Sequence, residues 1–288
     1  MKLCRFNDNR IGVVRGDAVH DVTAIVDELP AQRYPLALGD PLIARLDDLR
    51  PKLEKLADQA RPVPVANVKL LSPVANPSKI IGTPVNYHAH RLEADKDKEI
   101  AVYSPSARAR PIEEQGLFLK AVSSLVGPSE GVAVRFPDRR TDHEAELGLV
   151  IGKRAANVAE SHALDYVAGY AIALDMVVRG PEDRSFRKSI DSYALLGPWL
   201  VTADEVGDPA KLAFSLTVNG EPRQASNTGL MVMSIPRQIA WASTFYTLLP
   251  GDIIMTGTCE GVARVVPGDM MALEFERIGR MEVPVRAA

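Results

Sequence analysis

Two glutamates, Glu144 and Glu146, lie two residues apart in a segment, residues 141–153, that becomes largely apolar beyond them. If this segment is a strand, both side chains point to the same face of the sheet. Neighbouring carboxylates near a core repel each other and are costly to desolvate. A divalent cation relieves both problems, and hard cations such as Mg²⁺ prefer oxygen ligands. The pattern predicts a metal site, with two solvent-facing glutamates on an edge strand as the alternative.

A third carboxylate, Asp175, is the one charged side chain of the apolar run 168–178. A lone aspartate in a buried strand needs a partner, because an unpaired buried charge is very costly. A metal ion, a buried arginine or a set of backbone amides could be that partner. Three carboxylates would leave metal positions open for water or substrate, as a catalytic site requires.

A histidine and a glutamate, His90 and Glu93, open a long polar segment after the short apolar run 79–81. If the chain is helical there, the two side chains lie three residues apart on one face and can touch. A carboxylate orients an imidazole and raises its basicity, which suits a general base that activates water. Two alternatives stay open: a metal-binding pair of His88 and His90 on a strand, or solvent-exposed loop histidines.

The elements that must position these residues fall into two stretches. Residues 1–70 are predicted to form a small N-terminal domain with a strand–turn–strand start, a leucine-periodic helix over 41–60 and a proline-rich break. Residues 71–288 have short Val- and Ile-rich runs between Gly, Pro and Asp turns, typical of a β-rich sandwich or barrel. Within them, the polar segment 88–115 has a length that indicates a functional or disordered loop. Strands are predicted over 79–82, 131–135, 146–151, 168–178, 212–218, 252–256 and 270–275, and helices over 160–167 and 235–248.

Composition limits the classes of function. The chain has 288 residues, two cysteines, and 34 basic against 37 acidic side chains, for a net charge of −3. This balance argues against a nucleic-acid partner, and two distant cysteines predict neither a disulfide framework nor a cysteine-rich zinc site. No apolar run approaches the roughly 18–20 residues of a membrane span, and the N-terminus lacks a signal-peptide stretch. We therefore expect a cytoplasmic globular protein with neither nucleic-acid nor membrane partners.

Taken in order, these stretches resemble the fumarylacetoacetate hydrolase family from about Ile80 to Pro284. The segments that carry the resemblance are 82–93, 118–120, 143–153, 163–179, 188–199, 218–228 and 250–258. Residues 1–70 match the small N-terminal domain of many members only weakly. The resemblance implies a mostly β, α+β fold, a mixed β-sandwich roll with a small N-terminal α+β domain, which is usually assembled as a homodimer.

The resemblance also implies roles for the residues singled out above. Glu144, Glu146 and Asp175 would be ligands of Mg²⁺ or Mn²⁺. His90 and Glu93 would activate water or move a proton, with residues 88–115 as a lid. The further residues that the resemblance places at the substrate are Lys120, as a catalytic residue, and Tyr87, Arg179, Lys188 and Thr258, as substrate contacts.

This sequence departs from the family's pattern at three places. The stretch from Asn86 to Lys120 is longer than the usual lid. Gly180, Pro181 and Glu182 follow Arg179 where members often have Asp, a hydrophobic residue and Gln, and Cys259 stands where proline is frequent. Each departure could tune the substrate, and none removes a proposed ligand or the His–Glu pair.

The function implied by the resemblance is metal-dependent chemistry on a small 2-oxo acid. The first hypothesis is hydrolysis of a carbon–carbon bond in a β-diketo acid of the acylpyruvate or fumarylacetoacetate type, through a metal-stabilised enolate. The second is isomerisation of 2-hydroxyhepta-2,4-diene-1,7-dioate, or decarboxylation of a 2-oxo diacid such as oxaloacetate or 5-oxopent-3-ene-1,2,5-tricarboxylate, in aromatic catabolism. A non-catalytic ligand binder and a cupin-like metal protein using His88 and His90 are the alternatives from other classes.

A far carboxylate of such a substrate would need its own cation. Arg91, Arg108 and Arg110 lie in or near the predicted lid and are candidates for that contact. The alternative is that all three are ordinary surface arginines.

Overall fold

The computed structural model describes residues 1–97 and 110–288, which form a large sheet, a smaller sheet, a two-stranded ribbon and several helices. In spatial order, the twelve-stranded sheet contains β4 (Pro62–Pro64), β3 (Ala18–Asp21), β2 (Arg10–Arg15), β1 (Lys2–Phe6), β14 (Ala194–Thr202), β12 (Val167–Asp175), β11 (Ala145–Ile151), β17 (Ile253–Met255), β6 (Ile80–Gly82) and β7 (Phe118–Lys120), with β5 (Leu70–Leu71) beside β1 and β8 (Leu125–Val126) beside β14. The five-stranded sheet contains β16 (Glu221–Asn227), β15 (Ala213–Val218), β18 (Met270–Phe275), β19 (Gly279–Ala287) and β9 (Val132–Val134), and the ribbon pairs β10 (Thr141–Asp142) with β13 (Val177–Val178).

The α-helices of the described residues are short, apart from two of 14 and 11 residues. They are α1 (Pro41–Ala44), α2 (Leu46–Gln59), α3 (His88–Lys96), α4 (Ile112–Gln115), α5 (Arg184–Lys188), α6 (Ala203–Val206) and α7 (Ile235–Phe245). The predicted mostly β, mixed α+β architecture is confirmed. None of the helices in the two described ranges is both long and apolar enough to cross a membrane.

The central strands of the large sheet separate two apolar cores. Along β11, Leu147 and Leu149 face the core shared with the five-stranded sheet, whereas Val150 faces the core beneath α2. This alternation follows from the two-residue period of a strand that is covered on both faces. Glu146 shares the face of Val150 but lies near the start of the strand, where that face opens into a cavity.

The first 70 residues share both a sheet and a core with the rest of the chain. β1 pairs antiparallel with β14, so the N-terminal strands extend the large sheet at one end. Leu3 and Leu53 pack in the same apolar cluster as Ile80 and Leu196. The two predicted domains are therefore joined through one sheet, and a boundary near residue 70 stays a prediction.

Most of the predicted elements are present. The seven strands predicted after residue 78 are found with their ends within one residue, although the run 168–178 is divided into β12 and β13. The predicted helix over 160–167 is a 3₁₀ helix, Glu160–Tyr166, rather than an α-helix. Its end is held by the Gly152 amide, which donates to the Tyr166 carbonyl at 2.7 Å directly before β12 begins. A tighter 3₁₀ turn suits so short a connection.

Candidate active site

Three buried carboxylates meet where the central strands β11 and β12 adjoin. The antiparallel register places Glu146 opposite Ala173, and the Asp175 amide donates to the Glu144 carbonyl at 3.0 Å. Glu144 and Asp175 are therefore cross-strand neighbours, with Glu146 beside them on the same face. One carboxylate oxygen of each residue lies within 4.8 Å of the other two. The edge-strand alternative for the glutamates is wrong, because β11 lies between β12 and β17 and both side chains are buried.

Two lysine ammonium groups neutralise part of this charge. Lys188 Nζ donates to Glu144 Oε2 and to Asp175 Oδ2, each at 2.6 Å. Lys120 Nζ donates to the Asp175 carboxylate and, at 2.7 Å, to the Tyr193 carbonyl. Asp175 thus has the buried cationic partners that its place in an apolar strand demands.

The surroundings separate the pKa values of the two glutamates. Burial would raise the pKa of Glu144, but the charges of Lys188 and Arg179 outweigh it and lower the pKa to about 2. Burial and the adjacent Asp175 carboxylate instead raise the pKa of Glu146 well above its usual range. The triad is therefore electrostatically unequal: the ionised form of Glu144 is favoured, whereas burial and the neighbouring negative charge oppose ionisation of Glu146.

Arg179 connects the triad to a further buried carboxylate, Asp142. Its Nε donates to Asp142 Oδ2 at 2.8 Å, and its Nη2 lies 3.4 Å from Glu144 Oε1. Arg140 Nε donates to the other oxygen of Asp142 at 2.7 Å. The sequence reasoning did not single out Asp142, although its spacing of two residues from Glu144 continues the pattern of the glutamate pair.

The predicted His–Glu pair lies on α3, at the edge of the same cavity. His90 is buried, and its Nδ1 lies 3.4 Å from Glu93 Oε2, a long contact for a hydrogen bond. Glu93 also accepts from the Gly261 amide with both oxygens, at 2.9 and 3.1 Å. Burial opposes ionisation of Glu93, but the bonds from His90 and Gly261 outweigh it and lower its pKa. Glu93 is thus an ionised carboxylate poised beside an imidazole.

The alternative histidine pair does not form. His88 and His90 are two residues apart on a helix, so their side chains project to different sides, with His88 exposed and His90 buried. The segment is a helix, so His90 lies beside Glu93 and not beside His88.

A cavity of about 630 Å³ opens over the triad. Of the residues predicted to act at the site, its lining contains His90, Glu144, Glu146, Asp175, Arg179, Lys188 and Thr258. Lys120 is fully buried behind Asp175, and Glu93 lies behind His90, so both reach the cavity through another side chain. Tyr87 packs edge-on against Phe214 in the core, with ring centroids 6.2 Å apart, and is absent from the lining.

Gln224 supports the cavity from the five-stranded sheet, and the sequence reasoning did not assign it a role. Its side-chain oxygen accepts from the Ala145 amide at 3.0 Å, and its nitrogen donates to Thr258 Oγ1 at 2.8 Å. Thr258 Oγ1 in turn donates to the Ala145 carbonyl at 2.8 Å. These bonds hold the first residue of β11 against the loop that carries Thr258.

The predicted lid is described in part. Helix α3 and residues 110–115 border the cavity, whereas residues 98–109, with Arg108, lie outside the described ranges. Arg110 is exposed and belongs to the lining, and Arg91 does not.

The triad fits a divalent cation. Its donor atoms are all carboxylate oxygens, they converge within a few ångströms, and they are buried at the base of a cavity open to a second ligand. Oxygen donors suit Mg²⁺ and Mn²⁺ rather than softer metals. Glu144, Glu146 and Asp175 are the residues that could hold such an ion.

The fold and the site define an enzyme of the fumarylacetoacetate hydrolase family. The family model for the fumarylacetoacetate (FAA) hydrolase C-terminal domain matches residues 79–286, and the chain belongs to that family.

Three proteins similar to this chain have named activities. The chain is 53% identical to a maleylpyruvate hydrolase from Aquipseudomonas alcaligenes over 287 residues, which cover 100% of both proteins. It is 40% identical to the crystal structure of a maleylpyruvate hydrolase from Sphingobium sp. SYK-6 in complex with manganese(II) and pyruvate, with a TM-score of 0.83 and 100% of both chains covered. It is 29% identical to a 5-carboxymethyl-2-hydroxymuconate delta-isomerase from Mycobacterium smegmatis, with a TM-score of 0.73 and the same coverage.

Proposed function

We propose that the protein is a divalent-metal-dependent hydrolase that cleaves maleylpyruvate to maleate and pyruvate. The observation that carries the proposal is the buried triad of Glu144, Glu146 and Asp175 facing a cavity edged by His90. The 53% identical relative, a maleylpyruvate hydrolase matched over its whole length, supports the choice of an acylpyruvate as substrate. The manganese and pyruvate in the Sphingobium structure support a metal that meets a 2-oxo acid.

In this proposal the triad holds Mg²⁺ or Mn²⁺, which supplies a Lewis acid that stabilises negative charge on the 2-oxo acid. His90 takes a proton from the attacking water, and Glu93 orients the imidazole and stabilises its protonated form. Lys188, Arg179 and Thr258 face the cavity and contact substrate oxygens. Lys120 acts through Asp175, whose carboxylate it holds.

The reaction balances with one water molecule. Its hydroxyl joins the acyl carbon, and the bond from that carbon to the methylene of the pyruvate unit breaks. The methylene carbon gains a proton, which His90 can return, and the products are maleate and pyruvate.

The second candidate is a proton transfer without hydrolysis, as in an isomerase. The similarity to the delta-isomerase from Mycobacterium smegmatis favours it. The same His90–Glu93 pair could remove a proton from one carbon and return it to another. Decarboxylation of a 2-oxo diacid would use the same charge stabilisation with a different leaving group.

The experiment is a metal-dependence assay on the whole enzyme. The protein is stripped with a chelator, and activity is measured after addition of Mn²⁺ or Mg²⁺ with maleylpyruvate, oxaloacetate or 2-hydroxyhepta-2,4-diene-1,7-dioate. Release of maleate and pyruvate in equal amounts, restored by the metal, is the expected result. Turnover of either other substrate in place of maleylpyruvate would contradict hydrolysis and favour the second candidate.

Assembly and location belong to the same proposal. We infer a homodimer in the cytoplasm that takes a small organic acid and has neither nucleic acid nor membrane as partner. Light scattering on the purified protein measures the assembly, and a monomeric mass would contradict the dimer.

A further inference from the structure

Three basic side chains of the short helix α5 line the cavity, and they differ in their partners. Lys188 is paired with two carboxylates of the triad. Arg187 donates through Nε to the Glu182 carbonyl at 2.8 Å and through Nη1 to the Val178 carbonyl at 3.1 Å. Arg184 has neither kind of anchor, and no carboxylate of residues 1–97 or 110–288 forms an ion pair with it.

Arg184 is nevertheless held in place at the cavity wall. Its guanidinium carbon lies 5.5 Å from the centroid of the Phe118 ring, and its Nη2 donates to Gln115 Oε1 at 3.1 Å. The aromatic face and the amide fix the plane of the guanidinium while most of its N–H groups stay available. Burial lowers the pKa of this group and outweighs the opposing effect of the Glu144, Asp175 and Asp183 charges.

The nearby carboxylates have other partners or lie on the surface. Glu182 pairs with Arg139 at 2.8 Å, and Asp183 accepts from the Ser185 amide at the same distance. Glu114, which precedes Gln115 in the lining, is exposed and forms no ion pair with Arg184. An arginine that lines a cavity, is preorganised, and forms no ion pair with a described carboxylate is suited to bind a carboxylate of a ligand.

We propose that Arg184 is the residue that binds the second, far carboxylate of a dicarboxylic acylpyruvate. The inference rests on the proposed hydrolase function and extends it to substrate choice. Arg184 is favoured over two of the lid arginines as the expected contact, because Arg110 lines the cavity but is exposed and Arg91 does not reach the lining; Arg108 lies outside the described residues.

The distances agree with a substrate of this length. The Phe118 ring centroid is 5.5 Å from the Arg184 guanidinium carbon and 5.3 Å from Lys188 Nζ, so these two cations are separated by at most about 11 Å, the sum of the two. A seven-carbon chain spans at most about 7 Å between its terminal carbons. A carboxylate paired with a guanidinium adds about 4 Å between the two carbons. The 2-oxo acid end can therefore lie at the triad while the far end reaches Arg184.

The charges of the site lead to the same assignment. Three carboxylates of the triad, two lysines and a divalent ion leave one positive charge, which the carboxylate of the 2-oxo acid end neutralises. Among the described lining residues, the arginines that form no ion pair with a carboxylate are Arg184, Arg187 and the exposed Arg110, and a second carboxylate at the far end needs such a cation. Arg187 uses two of its donors on backbone carbonyls, whereas Arg184 uses one on Gln115, so Arg184 is less constrained by the protein and keeps more donors for a ligand.

The test compares two substrates in the metal-loaded enzyme. One is maleylpyruvate, and the other is the acylpyruvate in which a methyl group replaces the far carboxylate. We expect Arg184→Met to lower kcat/KM for maleylpyruvate by at least about 20-fold, mainly through KM, because charge-assisted hydrogen bonds are lost. The same variant should change kcat/KM for the methyl analogue by less than about threefold, since the methionine keeps the packing on Phe118.

Two further variants serve as controls. Arg110→Met removes the same charge from the exposed part of the cavity lining and should change both substrates by less than about threefold. Arg184→Lys keeps the charge without the planar fork and should give an intermediate loss on maleylpyruvate.

Each outcome decides the matter. Equal losses on both substrates with Arg184→Met, or equal losses with Arg184→Met and Arg110→Met, overturn the assignment while leaving the hydrolase function intact. A wild-type enzyme that cleaves neither acylpyruvate overturns the proposed function and this inference together.

Discussion

The two halves of the candidate site are held by different kinds of structure. The triad lies on central strands that are paired on both sides, and its members have short bonds, such as the 2.6 Å contacts of Lys188 and the 2.8 Å bond from the Gly257 amide to Glu146. His90 and Glu93 lie on a single nine-residue helix, and the contact between their two side chains is 3.4 Å long. Sheet register therefore fixes the proposed metal half, whereas the acid–base half depends on where one helix docks.

One loop connects these two halves. The Gly257 amide donates to Glu146 at 2.8 Å, and the Gly261 amide donates to Glu93 at 2.9 Å. The five-residue segment 257–261 thus contacts the triad at its first residue and the His90–Glu93 pair at its last. The comparison predicts that variants of the triad lower both metal affinity and activity, and that variants of the His90–Glu93 pair lower activity alone. Variants that contact the loop should lower metal affinity and activity mildly.

Asp175→Asn should have the largest effect. The amide removes the charge of a proposed ligand, which is also the carboxylate that Lys120 and Lys188 share, so compensation of the two buried ammonium groups is reduced. We expect Mn²⁺ affinity to fall by at least about 100-fold and kcat/KM by at least about 1,000-fold. Calorimetric titration of Mn²⁺ and steady-state kinetics measure the two. Asp165→Asn, at an exposed aspartate, is the matched control and should change neither.

Glu93→Gln should separate the halves. Glutamine keeps an oxygen for the Gly261 amide, but it cannot stabilise a protonated His90. We expect kcat to fall by about 100-fold, the usual scale of general acid–base catalysis, while Mn²⁺ affinity stays within about threefold. Turnover close to that of the wild type would remove His90 and Glu93 from the mechanism.

Both halves of the candidate site could be predicted from local signals in the sequence. The clustering of Glu144, Glu146 and Asp175 could be predicted because a two-residue spacing and a single charge in an apolar run are local signals. The contact between His90 and Glu93 could also be predicted from a local signal, because residues three apart are neighbours on the surface of a helix.

Contacts between residues that are far apart in the sequence could not be predicted from local patterns. Lys120 is 55 residues from Asp175 in sequence, and its approach to that carboxylate was expected only through the family resemblance. The pairing of β1 with β14 makes one sheet of two stretches that looked separate by composition. The role of Arg184 could not be predicted from the sequence, because its place at the cavity depends on how α5 packs against Phe118 on β7.

Gln224→Met tests the loop between the halves. The variant keeps the side-chain volume but removes the acceptor of the Ala145 amide and the donor to Thr258. Buried groups without partners cost about 1–3 kcal/mol each. We expect Mn²⁺ affinity and kcat each to fall by about 3–10-fold, together with a lower Tm. A loss confined to one of the two measurements would show that the loop does not couple them.

Asp40→Ala should affect stability and leave the site unchanged. Asp40 is buried, and its Oδ1 accepts from the Leu42 and Ile43 amides at 3.0 and 3.2 Å. Its Oδ2 accepts from the amides of Ala75 and Asn76 at 3.0 and 3.1 Å, which ties the start of α1 to the chain leading into β6. Loss of these bonds should cost about 2 kcal/mol and lower Tm by about 4–8 °C.

The same variant shows how far the N-terminal stretch supports the site. Since Asp40 touches neither the triad nor α3, kcat/KM at 25 °C should stay within about twofold of the wild type. Asp40→Asn, which keeps one acceptor oxygen, should recover part of the lost Tm. If the variants with the larger loss of Tm also have the larger loss of kcat/KM at 25 °C, well below the unfolding transition, the shared sheet transmits the change from the N-terminal region to β11 and β12. The metal half would then depend on the whole sheet rather than on its central strands alone.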